Sequence, residues 1–198
     1  MKVLKFGGTS VGSPQRMKDV CRLVSEDGEQ KVVVLSAMSG TTNTLIEITK
    51  CYHAGDRAGA FAIIERMRDM YSLHISNLYS TTAYKQNVQK YIDDRFDFLK
   101  SFAEQPFTLV EEKEIIAQGE LLSTFMATCC LSEAGYRAAL IPALDFMKID
   151  ENGEPDMEFI CNNIVKHIDP ESGIQIFVTQ GFICRNAEGL IDNLQRGG

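Results

Sequence analysis

Apolar positions along the chain follow two rhythms. Val3-Leu4-Lys5-Phe6 reads as a short strand, and Lys31-Val32-Val33-Val34-Leu35, an unbroken β-branched run, as a strand buried on both faces of a parallel sheet. Between them, Arg16 to Val24 repeats apolar residues at three and four behind Pro14, a residue favoured at a first helical position. Strand, helix and strand within 35 residues predict a βαβ unit with parallel strands. A loop over 36–43 leads to a helix expected from Thr44. From 56 to 104 the pattern is helical, and 61–71 with 88–99 predicts a helical hairpin. Its stripe of Met67, Met70, Tyr71, Tyr91 and Phe98 is expected to pack in the core rather than form a groove for a partner. Thr108 to Ala134 predicts one long helix capped by Thr108, with Glu111, Glu112 and Glu114 on a solvated face near its positive end. A strand over Ala138–Ala143, a short helix over Phe159–Ile168 and a strand over Ile174–Thr179 follow. The fold class is α/β with a mainly parallel sheet.

The candidate chemistry begins where the first strand ends. Gly7 and Gly8 permit a sharp turn that presents backbone N–H groups, and the next helix adds the positive end of its dipole. Lys5 supplies a full charge, and Thr9, Ser10 and Ser13 supply hydroxyls or helix caps. Phosphate is the expected guest, held by Lys5, Phe6, Gly7, Gly8, Thr9 and Ser10. Neither G-x-x-x-x-G-K-[ST] nor G-x-G-x-x-G is present, so P-loop and Rossmann readings lose support.

Ligands in open α/β sheets gather at the carboxyl ends of the strands, so 36–43 and Gly181 should face the same crevice. Ser36, Ser39, Thr41 and Thr42 suit either substrate contact or plain turn and cap duty. Gly119, inside a helix, marks close approach by backbone or ligand. Glu120, beside it in an apolar segment, needs a partner, either a ligand or a neighbouring cation. Phe182 is a pocket wall or a core residue. Arg196 offers the forked geometry that grips a carboxylate. His53 and His74 show no carboxylate or thiol partner in the sequence, and His167 is expected near the C-terminal end of its helix, where the dipole favours it.

Bulk properties narrow the classes further. A net charge of −7 over 198 residues argues against nucleic acid or an anionic membrane surface as the main partner. The six cysteines show no C-x-x-C and no zinc spacing with the three histidines, so no metal site is expected; Cys21, Cys129 and Cys130 read as buried free thiols. No signal-peptide layout opens the sequence, and no apolar run approaches the ~18 residues of a membrane span. A reducing cytoplasm is the expected setting.

Four stretches in order carry a resemblance to a known family. They are Lys5-Phe6-Gly7-Gly8-Thr9-Ser10-Val11, Leu35-Ser36-Ala37-Met38-Ser39-Gly40-Thr41-Thr42-Asn43, Gln118-Gly119-Glu120-Leu121-Leu122-Ser123, and Thr179-Gln180-Gly181-Phe182 with Arg196-Gly197-Gly198. Together they resemble the aspartate kinases of the amino-acid kinase family. The resemblance implies a three-layer αβα sandwich of the carbamate kinase-like type. It also implies transfer of the ATP γ-phosphate, with Mg²⁺ bridging the phosphates, to the β-carboxylate of L-aspartate. That product, 4-phospho-L-aspartate, opens lysine, threonine and methionine synthesis. On this reading Lys5 is catalytic, and Ser36, Thr42, Glu120, Phe182, Arg196 and Gly197 bind aspartate, Glu120 through its ammonium and Arg196 through its α-carboxylate. A homo-oligomer is implied for the full-length protein.

In the family a Ser-Asp pair follows the final glycines, and a nucleotide-binding half and ACT domains lie beyond. Residues 1–198 therefore read as the N-terminal, amino-acid-binding lobe, with the helical segment 56–104 inside it and no activity expected of it alone. The rival readings are another carboxylate kinase of the superfamily, such as one acting on acetylglutamate, and a non-catalytic binding module.

Overall fold

A computed structural model describes residues 1–194. Its centre is a four-stranded sheet in the order β1 (Lys2–Phe6), β2 (Lys31–Leu35), β4 (Ile176–Gln180), β3 (Ala138–Leu140), with every neighbouring pair parallel. The expected βαβ unit is present, with α1 (Pro14–Ser25) between β1 and β2. Pro14 takes its first turn, and the Ser13 hydroxyl accepts from the Arg16 N–H at 3.3 Å as its N-cap.

The two faces of the sheet are covered unequally. Parallel register puts Leu4, Val33, Val178 and Leu140 in one row, facing the larger core. That core is built from α1, α2 (Thr41–His53), α3 (Arg57–Leu78), α4 (Thr82–Ser101) and α5 (Leu109–Glu133). The opposite row, Val32, Phe177 and Ala139, meets a smaller cluster with Ile141, Phe146 and Ile183, packed by Ile164 of α6 (Met157–Ile164) and Ile191. This third layer stops short of the edge strand, where Val3 stays 68% exposed.

Several expectations shift in detail. α2 begins at Thr41, not Thr44, because Gly40 at φ +85° serves as its N-cap. β3 ends at Leu140, and a 3-10 turn over Ala143–Asp145 replaces the rest of the expected strand. α6 ends at Ile164, so His167 lies beyond the helix, 3.9 Å from the Asp145 carboxylate across the chain. The stripe on the hairpin divides: Met67 and Tyr71 are buried, whereas Met70 and Phe98 are exposed. α3 and α4 are instead joined at their polar edge by Arg68, whose guanidinium meets Asp93 and Asp97, and by Lys100 with Glu65.

The α5 region departs in three ways. Glu111 closes a capping box, its carboxylate accepting from the Thr108 N–H at 2.7 Å. Glu112 pairs with His53 Nε2 at 2.7 Å, so His53 has a carboxylate partner and ties α2 to α5. Finally, α5 is long and apolar enough to cross a membrane by length and composition, with a mean hydropathy of 1.3 over 18 residues. Two-thirds of that window is buried here, because α5 is the central core helix. A two-stranded antiparallel hairpin, β5 (Ile183–Arg185) with β6 (Ile191–Asn193), had no counterpart in the sequence reading.

Candidate functional site

The carboxyl ends of β1, β2 and β4 open onto one cleft of about 470 Å³. Lys5, Gly8, Thr9, Ser36, Thr42, Glu120, Gly181 and Phe182 all line it, together with Ala37, Met38, Ser39, Gly40, Asn43, Ile116 and Leu194. Residues from four separated stretches thus share one cleft. Phe6 and Ser10 face elsewhere: with Thr9, Arg16, Asp19, Val20 and Leu23 they line a second cleft of about 500 Å³ along α1. Arg196 and Gly197 lie outside the described residues.

Close packing of two loops shapes the phosphate side of the cleft. The Ser10 N–H donates to Gly7 O at 2.9 Å, closing a turn, and the Ser39 N–H donates to Gly8 O at 3.1 Å. A Cβ on Gly8 would stand 2.5 Å from Ala37 O, a backbone atom that cannot step aside, whereas one on Gly7 would meet nothing within 4 Å. Gly8 is therefore required by the fold, and Gly7 leaves open space over the turn. Gly8→Ala is expected to push the two loops apart and cost about 2 kcal/mol, which scanning calorimetry would read as a fall in Tm of roughly 6 °C.

Glu120 anchors the other side. Its Oε2 accepts from the Gly181 N–H at 2.9 Å and the Phe182 N–H at 2.8 Å, although the residue is only 3% exposed. Burial pushes its carboxyl up to about 7 from an ordinary 4.5, against the opposing pull of the Phe182, Gly181 and Ile183 amides and the Lys5 charge. Lys5 itself is exposed, and Gly181 lies close to its alkyl chain: a Cβ there would be 3.7 Å from Lys5 Cε and 2.7 Å from Val34 Cγ1. The cleft thus holds a cation and a buried carboxyl raised above its ordinary range, with hydroxyls of Ser36 and Thr42 and apolar walls from Ile116, Phe182 and Leu194.

Other motif residues build the frame. The Ser123 hydroxyl donates to Ser36 O at 2.9 Å, and Thr124 Oγ1 donates to Glu120 O at 2.7 Å. Gln180 Nε2 donates to Thr124 Oγ1 at 2.7 Å, while its Oε1 accepts from the Ala143 N–H at 2.7 Å. This buried chain fastens the ends of β2 and β4 to α5. Gly119 serves the same end: a Cβ there would sit 2.9 Å from Ala37 Cβ and 3.2 Å from Leu45 Cδ1, so it marks helix packing and not a ligand. Thr41 is likewise structural, its buried hydroxyl 3.0 Å from Tyr71 OH. Sequence reasoning missed Ile116 and Leu194 as walls and Ser123 and Gln180 as struts.

The donor set accommodates a phosphate: an exposed ammonium stands beside an open glycine turn at strand ends. Among the described residues no group of three His, Cys, Asp or Glu side chains is placed to share a metal.

Comparison with known proteins gives a consistent picture. The model of the amino acid kinase family matches residues 1–198. The chain is 26% identical over 199 residues to lysine-sensitive aspartokinase 3 of Escherichia coli K12, covering 99% of this chain and 43% of that protein. It is 29% identical over 164 residues to the chloroplastic aspartokinase 2 of Arabidopsis thaliana, covering 78% of this chain and 29% of that protein. The crystal structure of E. coli aspartokinase III with aspartate and ADP superposes with a TM-score of 0.81 at 25% identity, covering 100% of this chain and 44% of that one. The chain spans less than half the length of each of these relatives.

Proposed function

The chain belongs to the amino acid kinase family, and from that membership we propose that it is the N-terminal, acceptor-binding lobe of an aspartate kinase. The reaction is transfer of the ATP γ-phosphate to the β-carboxylate of L-aspartate, the first step toward lysine, threonine and methionine. The observation that carries this reading is the cleft itself, where Lys5 and Gly8 stand on one side and the buried Glu120 on the other. A structural neighbour of aspartokinase type was crystallised with aspartate and ADP, which supports both ligand classes.

Phosphoryl transfer to a carboxylate needs positioning and charge neutralisation more than covalent chemistry. Lys5 and the turn amides hold the transferring phosphoryl group and its developing charge. Glu120, its Oε2 pinned by two backbone amides, meets the substrate ammonium with its other oxygen. Ser36 and Thr42 orient the acceptor, and Phe182 and Leu194 exclude water from one side. Mg²⁺, travelling with the nucleotide, would neutralise phosphate charge. Arg196 and Gly197, outside the described residues, belong to the same proposal, Arg196 as the contact to the α-carboxylate and Gly197 as a further substrate contact. All six cysteines are free, in keeping with a reducing cytoplasm, and a homo-oligomer is part of the same proposal.

Hydroxylamine trapping of acyl phosphate by the full-length protein, with ATP, Mg²⁺ and a panel of amino-acid acceptors, tests the reading. Product with aspartate is the expected result. Product with another acceptor alone moves the chain within its family, and none from folded protein indicates a binding module.

A further inference from the structure

The hairpin that walls the cleft is attached to α5 by two separate contacts. One is Glu120, which holds Gly181 and Phe182 just before β5. The other is an ion pair between Lys113 Nζ and Asp192 Oδ2 at 2.6 Å, on β6. Lys113 and Glu120 are seven residues apart, so they lie two turns along one face of α5, with cleft-lining Ile116 between them.

Asp192 faces inward from the hairpin. Its side chain is only 13% exposed, on the same face as the fully buried Cys184 opposite it in the ladder. Burial, with the Asp192 charge added, pushes the Cys184 thiol up to about 11. Asp192 Oδ1 accepts from the Asn193 N–H at 2.6 Å, and the Leu194 N–H donates to Phe182 O at 2.7 Å, closing the mouth of the hairpin. A carboxylate this enclosed, held by one lysine among the described residues, is costly to leave unpaired. Its position also governs the two residues after it.

We propose that Lys113 and Asp192 are positioning residues for the acceptor pocket, their ion pair clamping the β5–β6 hairpin to α5 and so fixing Phe182 and Leu194 relative to Glu120. The clamp is a property of the fold. Its effect on the acceptor rests on the kinase reading above. Neither side chain lines the cleft, so both act through the wall they hold. The phosphate turn at Lys5 lies on a different strand and is untouched by the clamp, which predicts an effect on acceptor binding and not on nucleotide binding.

Two readouts on the full-length protein test this. In hydrogen exchange, Lys113→Met should accelerate the Asn193 and Leu194 amides by roughly tenfold or more while leaving those of β1 unchanged, and Lys113→Arg should restore protection. In steady-state kinetics, Lys113→Met should raise the acceptor KM by roughly 10- to 100-fold, with kcat and the ATP KM within about threefold of wild type. Unchanged exchange in the hairpin overturns the clamp whatever the protein catalyses. Faster exchange with an unchanged acceptor KM overturns the link to the pocket. An ATP KM that rises in parallel does so too, because it signals general loosening. A wild type that phosphorylates no acceptor defeats the kinase reading, while the exchange result still decides the clamp. If Lys113→Met does not fold, Asp192→Asn, equal in size and without the charge, is judged by the same criteria, and failure of both to fold overturns the proposal in favour of a purely structural pair.

Discussion

At about pH 8, where Glu120 stays largely ionised, replacing Lys5 with alanine is expected to lower kcat by roughly 10³-fold while moving the aspartate KM by less than about threefold. Lys5 is exposed at the carboxyl end of β1, so its loss removes little packing, and the fold should survive. What disappears is the cation that answers charge developing on the phosphoryl group, a contact tighter in the transition state than in the ground state. An equal loss in kcat and in acceptor affinity would sink the assigned role. A secondary effect follows from the same charge. Lys5 helps hold the Glu120 carboxyl down, so without it Glu120 titrates at a higher pH, and aspartate binding should need more alkaline conditions.

The second large effect concerns Glu120. Its folded value of about 7 stands above the ordinary carboxyl value of 4.5, so between those two pH values the native protein keeps a proton that the unfolded chain has lost. The unfolded state then binds fewer protons, and stability contributed by this group is present below pH ~4.5 and falls as pH rises toward 7. Glu120→Gln should flatten that slope: wild-type Tm declines from pH 5 to pH 8 more than that of the variant. Ligand binding runs the other way. An ammonium ligand favours the ionised carboxylate, so aspartate affinity should tighten through pH 7 in the wild type. In Glu120→Gln it should be weaker by roughly 10- to 100-fold at pH 8 and nearly independent of pH. Calorimetric titrations at pH 6 and pH 8 measure both; a variant that binds aspartate as tightly as wild type at pH 8 removes Glu120 from the ammonium site.

Much of this was legible in local pattern. The β-branched run of β2, the rhythm of α1, the increasingly apolar stretch of α5 and the caps at Ser13 and Thr108 are local signals, and each element formed where its pattern lay. Glu120 could be singled out because a carboxylate in an apolar stretch must be answered by something. The answer itself, two amides 61 and 62 residues onward, has no local trace. The same holds for His53 with Glu112, 59 residues apart, and for Gln180 with Thr124. The β5–β6 hairpin escaped because three-residue strands carry too little periodicity. Its best signal was Gly189, at φ +83° in the connecting turn. Ile116 and Leu194 became cleft walls through tertiary placement of elements whose own patterns say only that they are apolar.

The strand order has a kinetic meaning as well. β2 meets β1 from 29 residues away, since Val33 pairs with Leu4, but it meets β4 across 145 residues, since Lys31 pairs with Ile176. The centre of the sheet therefore cannot close until nearly all of the chain is available, while α3 and α4, adjacent in sequence, can pair early. Loop-closure entropy is met late and all at once, which makes that single junction the expected slow step of folding. During synthesis the open edge of Lys31-Val32-Val33-Val34-Leu35 waits through the translation of five helices, and the nascent chain is most exposed to aggregation in that interval.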